Sequence, residues 1–114
     1  MPYIDIKVSK PVTKAQQEAV KAEMGRGIAV FPGKTEMWLM VGITDEYAIW
    51  FKGDGDDPCA MVEVSIFGAL NSESCNKMTG LICKSLSDNF GISPSRIYVK
   101  YQSVSEWGWN GENF

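Results

Sequence analysis

Histidine is absent from this chain of 114 residues. It is the commonest general base near neutral pH and the commonest metal ligand. Its absence excludes Ser-His-Asp and Cys-His nucleophile pairs and every metal site that needs an imidazole. An enzyme with this sequence must therefore take its near-neutral base from another group.

Basic charge is also limited. Arginine occurs only as Arg26 and Arg96, and 11 basic residues against 14 acidic ones give a formal net charge of −3. A nucleic-acid-binding domain normally presents a basic face, and the sequence has no cluster of lysine and arginine. We therefore expect no nucleic-acid partner.

Cysteine is sparse, and its spacing does not match a metal-binding or redox motif. The three cysteines, Cys59, Cys75 and Cys83, contain no C-x-x-C pair, which argues against a zinc knuckle and a two-cysteine redox motif. An odd number also argues against a secreted fold stapled by disulfides. We expect buried, unreactive thiols and no metal site.

Long apolar runs are missing as well. Nothing approaches the roughly 20 apolar residues of a membrane-spanning helix, and Met1 to Lys10 lacks the apolar core of a signal peptide. We therefore expect a cytoplasmic protein that does not insert into membranes. Export without a signal peptide is the alternative.

The residues that are present predict a packed globular domain spanning 1–114, because 45% are apolar and 22% are charged. Tyr3 to Val8 alternates as a half-buried strand. Thr13 and Gln16 have the spacing of a capping box, which opens a helix that Pro32-Gly33 ends. The apolar stripe of that helix consists of Val20, Met24, Ile28 and Phe31.

Two more strands are predicted before residue 59. Met37 to Ile43 is almost continuously apolar, which is typical of a strand buried on both faces. A short strand is expected over Tyr47 to Phe51, before a loop rich in glycine and aspartate.

The second half repeats the first. Ala60 to Ile66 alternates as a strand, Asn71 can cap a helix, Gly91 can end it, and Arg96 to Tyr101 predicts a final strand. Asn71 lies 58 residues after Thr13, as Gly91 does after Gly33, so the pattern indicates duplicated β-α-β units over about 2–50 and 59–110. The second helix has the stripe Met78, Ile82, Leu86 and Phe90.

This arrangement predicts an α+β fold, with a four-stranded mixed sheet and both helices on one face, because β-α-β crossovers are right-handed. The other face then exposes apolar and aromatic residues that no third helix covers. A monomer rarely exposes so large a patch. We therefore expect a homo-oligomer.

With histidine absent, the candidate bases are carboxylates, lysines, tyrosines and the chain terminus, and the terminus stands out among them. Pro2 follows Met1, and a small second residue usually permits removal of the initiator methionine, which would expose a secondary amine. An α-amino group has a pKa of about 7.7–8.0, and burial or a nearby lysine lowers it. Pro2 is thus a candidate acid and base.

Several segments together resemble the macrophage migration inhibitory factor and D-dopachrome tautomerase family over essentially the whole chain. They are Met1-Pro2, Gly33-Lys34, Pro58-Cys59-Ala60, Ser65-Ile66, the segment from Ile92 to Tyr98, and the ending from Trp107 to Phe114. Each segment is weakly specific, but their order and spacing are distinctive.

The resemblance implies a homotrimeric, cofactor-independent tautomerase, with sites at subunit boundaries and a phenylpyruvate-like or dopachrome-like substrate. Pro2 would be the catalytic acid and base, Lys34 would pair with the polar end of the substrate, and the Ile66 N–H would hold a substrate oxygen. Tyr98 would come from a neighbouring subunit. The family's aromatic wall corresponds to Trp38, Trp109 and Phe114.

Some positions depart from the family. Lys100 stands where mammalian relatives have an asparagine that contacts the far end of the substrate, so a more acidic substrate is one alternative. Trp38 replaces a tyrosine, Thr35 a proline and Val62 a cysteine, and Phe67 follows Ile66 where a glycine is usual. A cytokine-like ligand for a cell-surface receptor is the other alternative, and it rests on the resemblance alone.

Overall fold

The computed structural model describes all residues from Met1 to Phe114 and has one central sheet with the order β2-β1-β3-β4. Its strands are β1 (Pro2–Val8), β2 (Met40–Thr44), β3 (Ala60–Phe67) and β4 (Ile97–Val104). The helices are α1 (Lys14–Gly27) and α2 (Ser72–Phe90), and a C-terminal hairpin is formed by β5 (Gly108–Trp109) and β6 (Glu112–Asn113).

The sheet is mixed, as expected from a duplicated β-α-β unit. β1 pairs in parallel with β2, β3 pairs in parallel with β4, and β1 and β3 run antiparallel at the centre. Alternate residues of β1 and β3 are fully buried with the helical stripes in one core cluster, which confirms that both helices cover the same face. The predicted fold class is therefore confirmed.

Both helices begin and end largely as their sequences predict. The Thr13 hydroxyl accepts the Gln16 N–H at 3.1 Å, and the Gln16 side chain accepts the Thr13 N–H at 2.7 Å, so the capping box is present. The Asn71 side chain caps α2, and Gly91 ends it with a φ of 68°. α1 differs in detail, because it ends at Gly27 and a 3₁₀ turn over Ile28–Val30 follows.

The prediction of a doubly buried strand over Met37 to Ile43 is wrong. A 3₁₀ turn over Glu36–Trp38 precedes the strand, which begins only at Met40. Met37 is 82% exposed and Met40 is 68% exposed. The reason is the uncovered face of the sheet, since Met40 lies beside Tyr3 on the side opposite the helices, in an edge strand that pairs with β1 alone.

The predicted strand over Tyr47 to Phe51 is also wrong. Tyr47 donates its N–H to Val8 at the end of β1, and the chain then crosses that end without forming a ladder. Only an isolated bridge joins Phe51 to Asp54, across a tight turn in which Lys52 and Gly53 have φ values of 53° and 77°. The last strand is longer than predicted, since β4 continues to Val104.

The sheet face opposite the helices carries no covering layer in the single chain. Large apolar side chains remain exposed there and in the connections, and only one of the exposed set, Leu81, belongs to an α-helix. No helix combines the length and the apolar composition that crossing a membrane requires.

Candidate active site

The chain begins beside the end of β3. Pro2 is buried and lies opposite Ile66 in the central ladder. The pKa of the Met1 α-amino group is lowered, first because the group is partly buried and then because the Lys34 ammonium is close to it. The N terminus therefore lies in surroundings that favour the neutral form of its amine.

Lys34 reaches this amine because of the turn that follows α1. Gly33 has a φ of 78°, a left-handed conformation that suits glycine. The Lys34 N–H then donates to Phe31 at 3.0 Å, and its ammonium donates to the Phe67 carbonyl at 3.1 Å. A cation is thus held at the end of β3, next to the N terminus.

The backbone donor that faces the N terminus belongs to Phe67. Its N–H donates to the Met1 carbonyl at 3.0 Å. Antiparallel ladders alternate between bonded and non-bonded pairs, so the next pair, Pro2 and Ile66, is non-bonded and the Ile66 N–H is directed towards β4. The structure therefore turns the Phe67 N–H, and not the Ile66 N–H, towards the N terminus.

Aromatic side chains surround this end of the sheet. The Trp38 and Trp109 rings meet edge to face with centroids 5.1 Å apart. Phe114 stacks on Trp109 at 6.0 Å and contacts Phe67 at 5.7 Å. Three predicted aromatic residues are thus brought together, and Phe67 joins them.

The C-terminal hairpin makes this cluster from local sequence. Asn110 and Gly111 have φ values of 53° and 93°, as a two-residue type I′ turn requires. The turn reverses the chain, and the Phe114 N–H donates to the Trp107 carbonyl at 3.0 Å. Phe114 is therefore returned to the ring of Trp109.

A cavity of about 680 Å³ opens beside Pro2. This volume is within the usual range for small-molecule sites, about 300–1,000 Å³. The lining is mostly apolar, as an aromatic ligand would require. It includes Pro2, Met37, Trp38, Met40, Trp107 and Trp109.

Tyr98 and Lys100 lie far from Pro2 within one chain. Pro2 aligns across the sheet with Ser103, and Tyr98 is five residues away along β4. The separation is roughly 16 Å along the strands and about 10 Å across them. Tyr98 is 63% exposed, and the Lys100 ammonium lies 3.7 Å from Glu63. One chain does not bring them to Pro2.

Sequence reasoning noted Phe67 only as a departure from the family, and it assigned no site role to Trp107 or to the methionines of the cavity. The alternation of β3 contains a usable signal for Phe67. Ile66 ends the inward series that begins at Ala60, so Phe67 necessarily has the opposite orientation in the strand. The sequence marked Trp107 only as the start of the C-terminal segment that resembles the family, because its place at the cavity depends on how the hairpin folds back.

Comparisons with known proteins agree with this architecture. A family model described as macrophage migration inhibitory factor matches residues 1–114. The macrophage migration inhibitory factor of Meriones unguiculatus is 28% identical, with 100% of this chain and 99% of that protein covered.

Solved structures are similar over nearly the full length. The crystal structure of Leishmania major MIF2 has a TM-score of 0.93 and 32% identity, covering 100% of this chain and 97% of that one. The macrophage migration inhibitory factor of Toxoplasma gondii has a TM-score of 0.90 and 25% identity, covering 98% and 99%. The chain therefore belongs to the macrophage migration inhibitory factor family.

Proposed function

We propose that this protein is a cofactor-independent keto–enol tautomerase of the phenylpyruvate type, with Pro2 as its acid and base after Met1 is removed. The observation that carries the proposal is the position of the N terminus. It is partly buried, beside the Lys34 ammonium and at an aromatic-lined cavity. Membership of the family supports the same chemistry.

Removal of Met1 moves the free amine one residue inwards, to the buried Pro2. Burial and the positive charge of Lys34 then act on a secondary amine, and both lower its pKa from the usual value of about 8. The neutral amine accepts the enol O–H proton as the C=O bond forms. The resulting ammonium returns that proton to C3, so the substrate is isomerised and the enzyme is regenerated.

The remaining groups would bind the substrate. The Phe67 N–H loses its acceptor when Met1 is removed, so it becomes free to hold a substrate oxygen. Lys34 would pair with the carboxylate of a 2-oxo acid. The aromatic end would lie among Trp38, Trp109 and Phe114.

Completion of the site would need a second copy, in the homotrimer that the resemblance implies. Tyr98 and Lys100 of one chain would reach the Pro2 cavity of another. The Lys100 side chain is 66% exposed and only loosely paired with Glu63. A lysine in that position favours a 2-oxo acid with a second negative group at its far end.

The decisive experiment measures intact mass and phenylpyruvate tautomerase activity on the same preparation. We expect the mass of the chain without Met1, and a loss of about 100-fold or more in activity for Pro2→Gly, since general acid–base catalysis typically contributes that much. Glycine at position 2 still permits methionine removal.

Pro11→Gly is the matched control, because Pro11 is exposed and outside the site. It should retain full activity. Full activity in Pro2→Gly, or in chains whose mass shows that Met1 is retained, would contradict the proposal, because an amide nitrogen is not basic.

A further inference from the structure

Arg96 makes more hydrogen bonds than its place outside the cavity would suggest. Its guanidinium donates to the carbonyls of Pro58 at 3.1 Å, Asp54 at 2.9 Å, Asp57 at 3.0 Å and Phe51 at 3.4 Å. The side chain is only 15% exposed and also lies 3.6 Å from the Asp54 carboxylate. The Arg96 side chain thus binds four backbone carbonyls of the loop that precedes β3.

The loop in question, residues 51–58, has no helix or ladder of its own. Its internal order comes from the Phe51–Asp54 bridge and an Asp54 side chain that accepts the Asp56 N–H at 2.8 Å. A planar guanidinium with five donors suits several carbonyls at fixed angles, whereas a lysine offers a single flexible point charge. The hydrogen bonds of the Arg96 guanidinium therefore hold the loop in its conformation.

Phe51 connects this loop to Tyr98. The Arg96 guanidinium lies 5.4 Å from the centroid of the Phe51 ring. Phe51 also meets Tyr98 edge to face, with centroids 5.0 Å apart and planes at 77°. Tyr98 is largely exposed and its hydroxyl has no hydrogen bond within the chain. The ring contact with Phe51 therefore orients it.

We propose that Arg96 is a positioning residue that sets the orientation in which Tyr98 is presented to the Pro2 cavity of a neighbouring chain. Arg96 acts through its hydrogen bonds to the loop of residues 51–58, which hold the Phe51 ring against Tyr98. No atom of Arg96 would touch the substrate. The consequence for catalysis rests on the proposed function. The orientation of Tyr98 does not, since it follows from contacts within one chain.

The first test reads the orientation of Tyr98 directly. The protein is labelled with 3-fluorotyrosine, and the signal of Tyr98 among the 4 tyrosines is assigned with Tyr98→Phe. We expect Arg96→Gln to shift the Tyr98 fluorine resonance towards that of free fluorotyrosine, and Arg96→Lys to shift it less. Phe51→Leu should cause the same shift while leaving Arg96 in place, which covers a poorly folded Arg96 variant.

Arg26 provides the control, because it is the only other arginine and its exposed side chain makes no hydrogen bond or ion pair. Arg26→Gln should leave the Tyr98 resonance unchanged. An unchanged Tyr98 resonance in both Arg96→Gln and Phe51→Leu would overturn the inference.

The second test measures kcat/KM for phenylpyruvate tautomerisation. Arg96→Gln should lower it by up to about 100-fold, the size that small misplacements of a site residue can reach. In a Tyr98→Ala background the same substitution should have no further effect, because the two residues act in series. An equal loss in both backgrounds would indicate a general structural effect and overturn the inference.

The two proposals fail in different ways. A wild-type chain without Pro2-dependent tautomerase activity would contradict the proposed function. In that case the fluorine spectra alone decide whether Arg96 orients Tyr98.

Discussion

The two halves of this chain match in their core and differ in what they attach to it. Each half has an inward-alternating first strand, a capped helix and a parallel second strand. The segment after α1 runs from Ile28 to Leu39 and contains Lys34 and Trp38, whereas the segment after α2 extends only from Gly91 to Arg96. The repeat thus builds the scaffold, and the unrepeated segments carry most of the candidate site.

Lys34 is the sharpest difference between the halves, and we expect its loss to have the largest effect among the changes considered below. Lys34→Met should reduce tautomerase kcat/KM by roughly 10- to 100-fold, as expected for a charged group that binds the substrate. Because Lys34 lowers the pKa of the terminal amine, its removal raises that pKa. The rise of activity with pH should therefore move to higher pH.

Lys77→Met is the matched control in the second half, since Lys77 is exposed on α2 and pairs with Glu73 at 3.4 Å. Its pH–rate profile should equal that of the wild type. A Lys34→Met profile that does not move would show that Lys34 has no influence on the base.

Lys100 places a positive charge on the sheet face where β2 presents Met40 and Gly42. Substitution of Lys100 tests whether this charge on β4 contributes to substrate selection. The measurement compares kcat/KM for a 2-oxo acid that has a second carboxylate with kcat/KM for phenylpyruvate. We expect the ratio of the first to the second to fall about tenfold in Lys100→Asn, since one modest charge-assisted hydrogen bond contributes about that much to binding. Lys84→Asn on α2 should leave the ratio unchanged. An unchanged ratio in Lys100→Asn would remove the acidic substrate from the proposal.

The helical glycines give the smallest predicted effect. A side chain at Gly80 would meet nothing within 4 Å, so Gly80→Ala should raise the free energy of unfolding by about 0.5–1 kcal/mol. At Gly25 the added methyl group would overlap the Glu36 side chain, which must move into solvent. Gly25→Ala should therefore stabilise less than Gly80→Ala.

Chemical denaturation of both variants measures this difference, and Glu36→Ala in the Gly25→Ala background should restore the missing gain. Equal stabilisation by both alanines without that second change would show that the Glu36 contact has no energetic weight. It would also show that the two helices are equivalent at these positions.

The scaffold was predictable because its signals are local. The capping box of Thr13, the side chain of Asn71 and the left-handed Gly91 each depend on neighbouring residues, and the stripes on both helices follow the helical period. The Met37–Ile43 prediction failed because the exposure of β2 depends on which sheet face the helices cover and on the strand order, and composition contains neither.

The candidate site was predictable only in part. Lys34, Trp38, Trp109 and Phe114 were expected from the resemblance, and the structure brings them to the N terminus. The sequence did not show that the Phe67 N–H, and not the Ile66 N–H, faces the N terminus, because the direction of a backbone N–H depends on ladder register, which is a long-range property. The sequence assigned no role to the Arg96 side chain, because its hydrogen-bond partners are carbonyls 38 to 45 residues away.

The hydrogen bond from Phe67 to the Met1 carbonyl has a consequence for measurement. In the proposed mechanism, a retained Met1 converts the Pro2 amine into an amide. Its carbonyl also accepts the Phe67 N–H that would otherwise bind the substrate, so Met1 behaves as a covalently attached inhibitor of each chain that retains it. The specific activity of a preparation would then be proportional to the fraction of its chains from which Met1 has been removed. Two preparations with identical folds can thus differ in activity solely through the aminopeptidase of the host that made them.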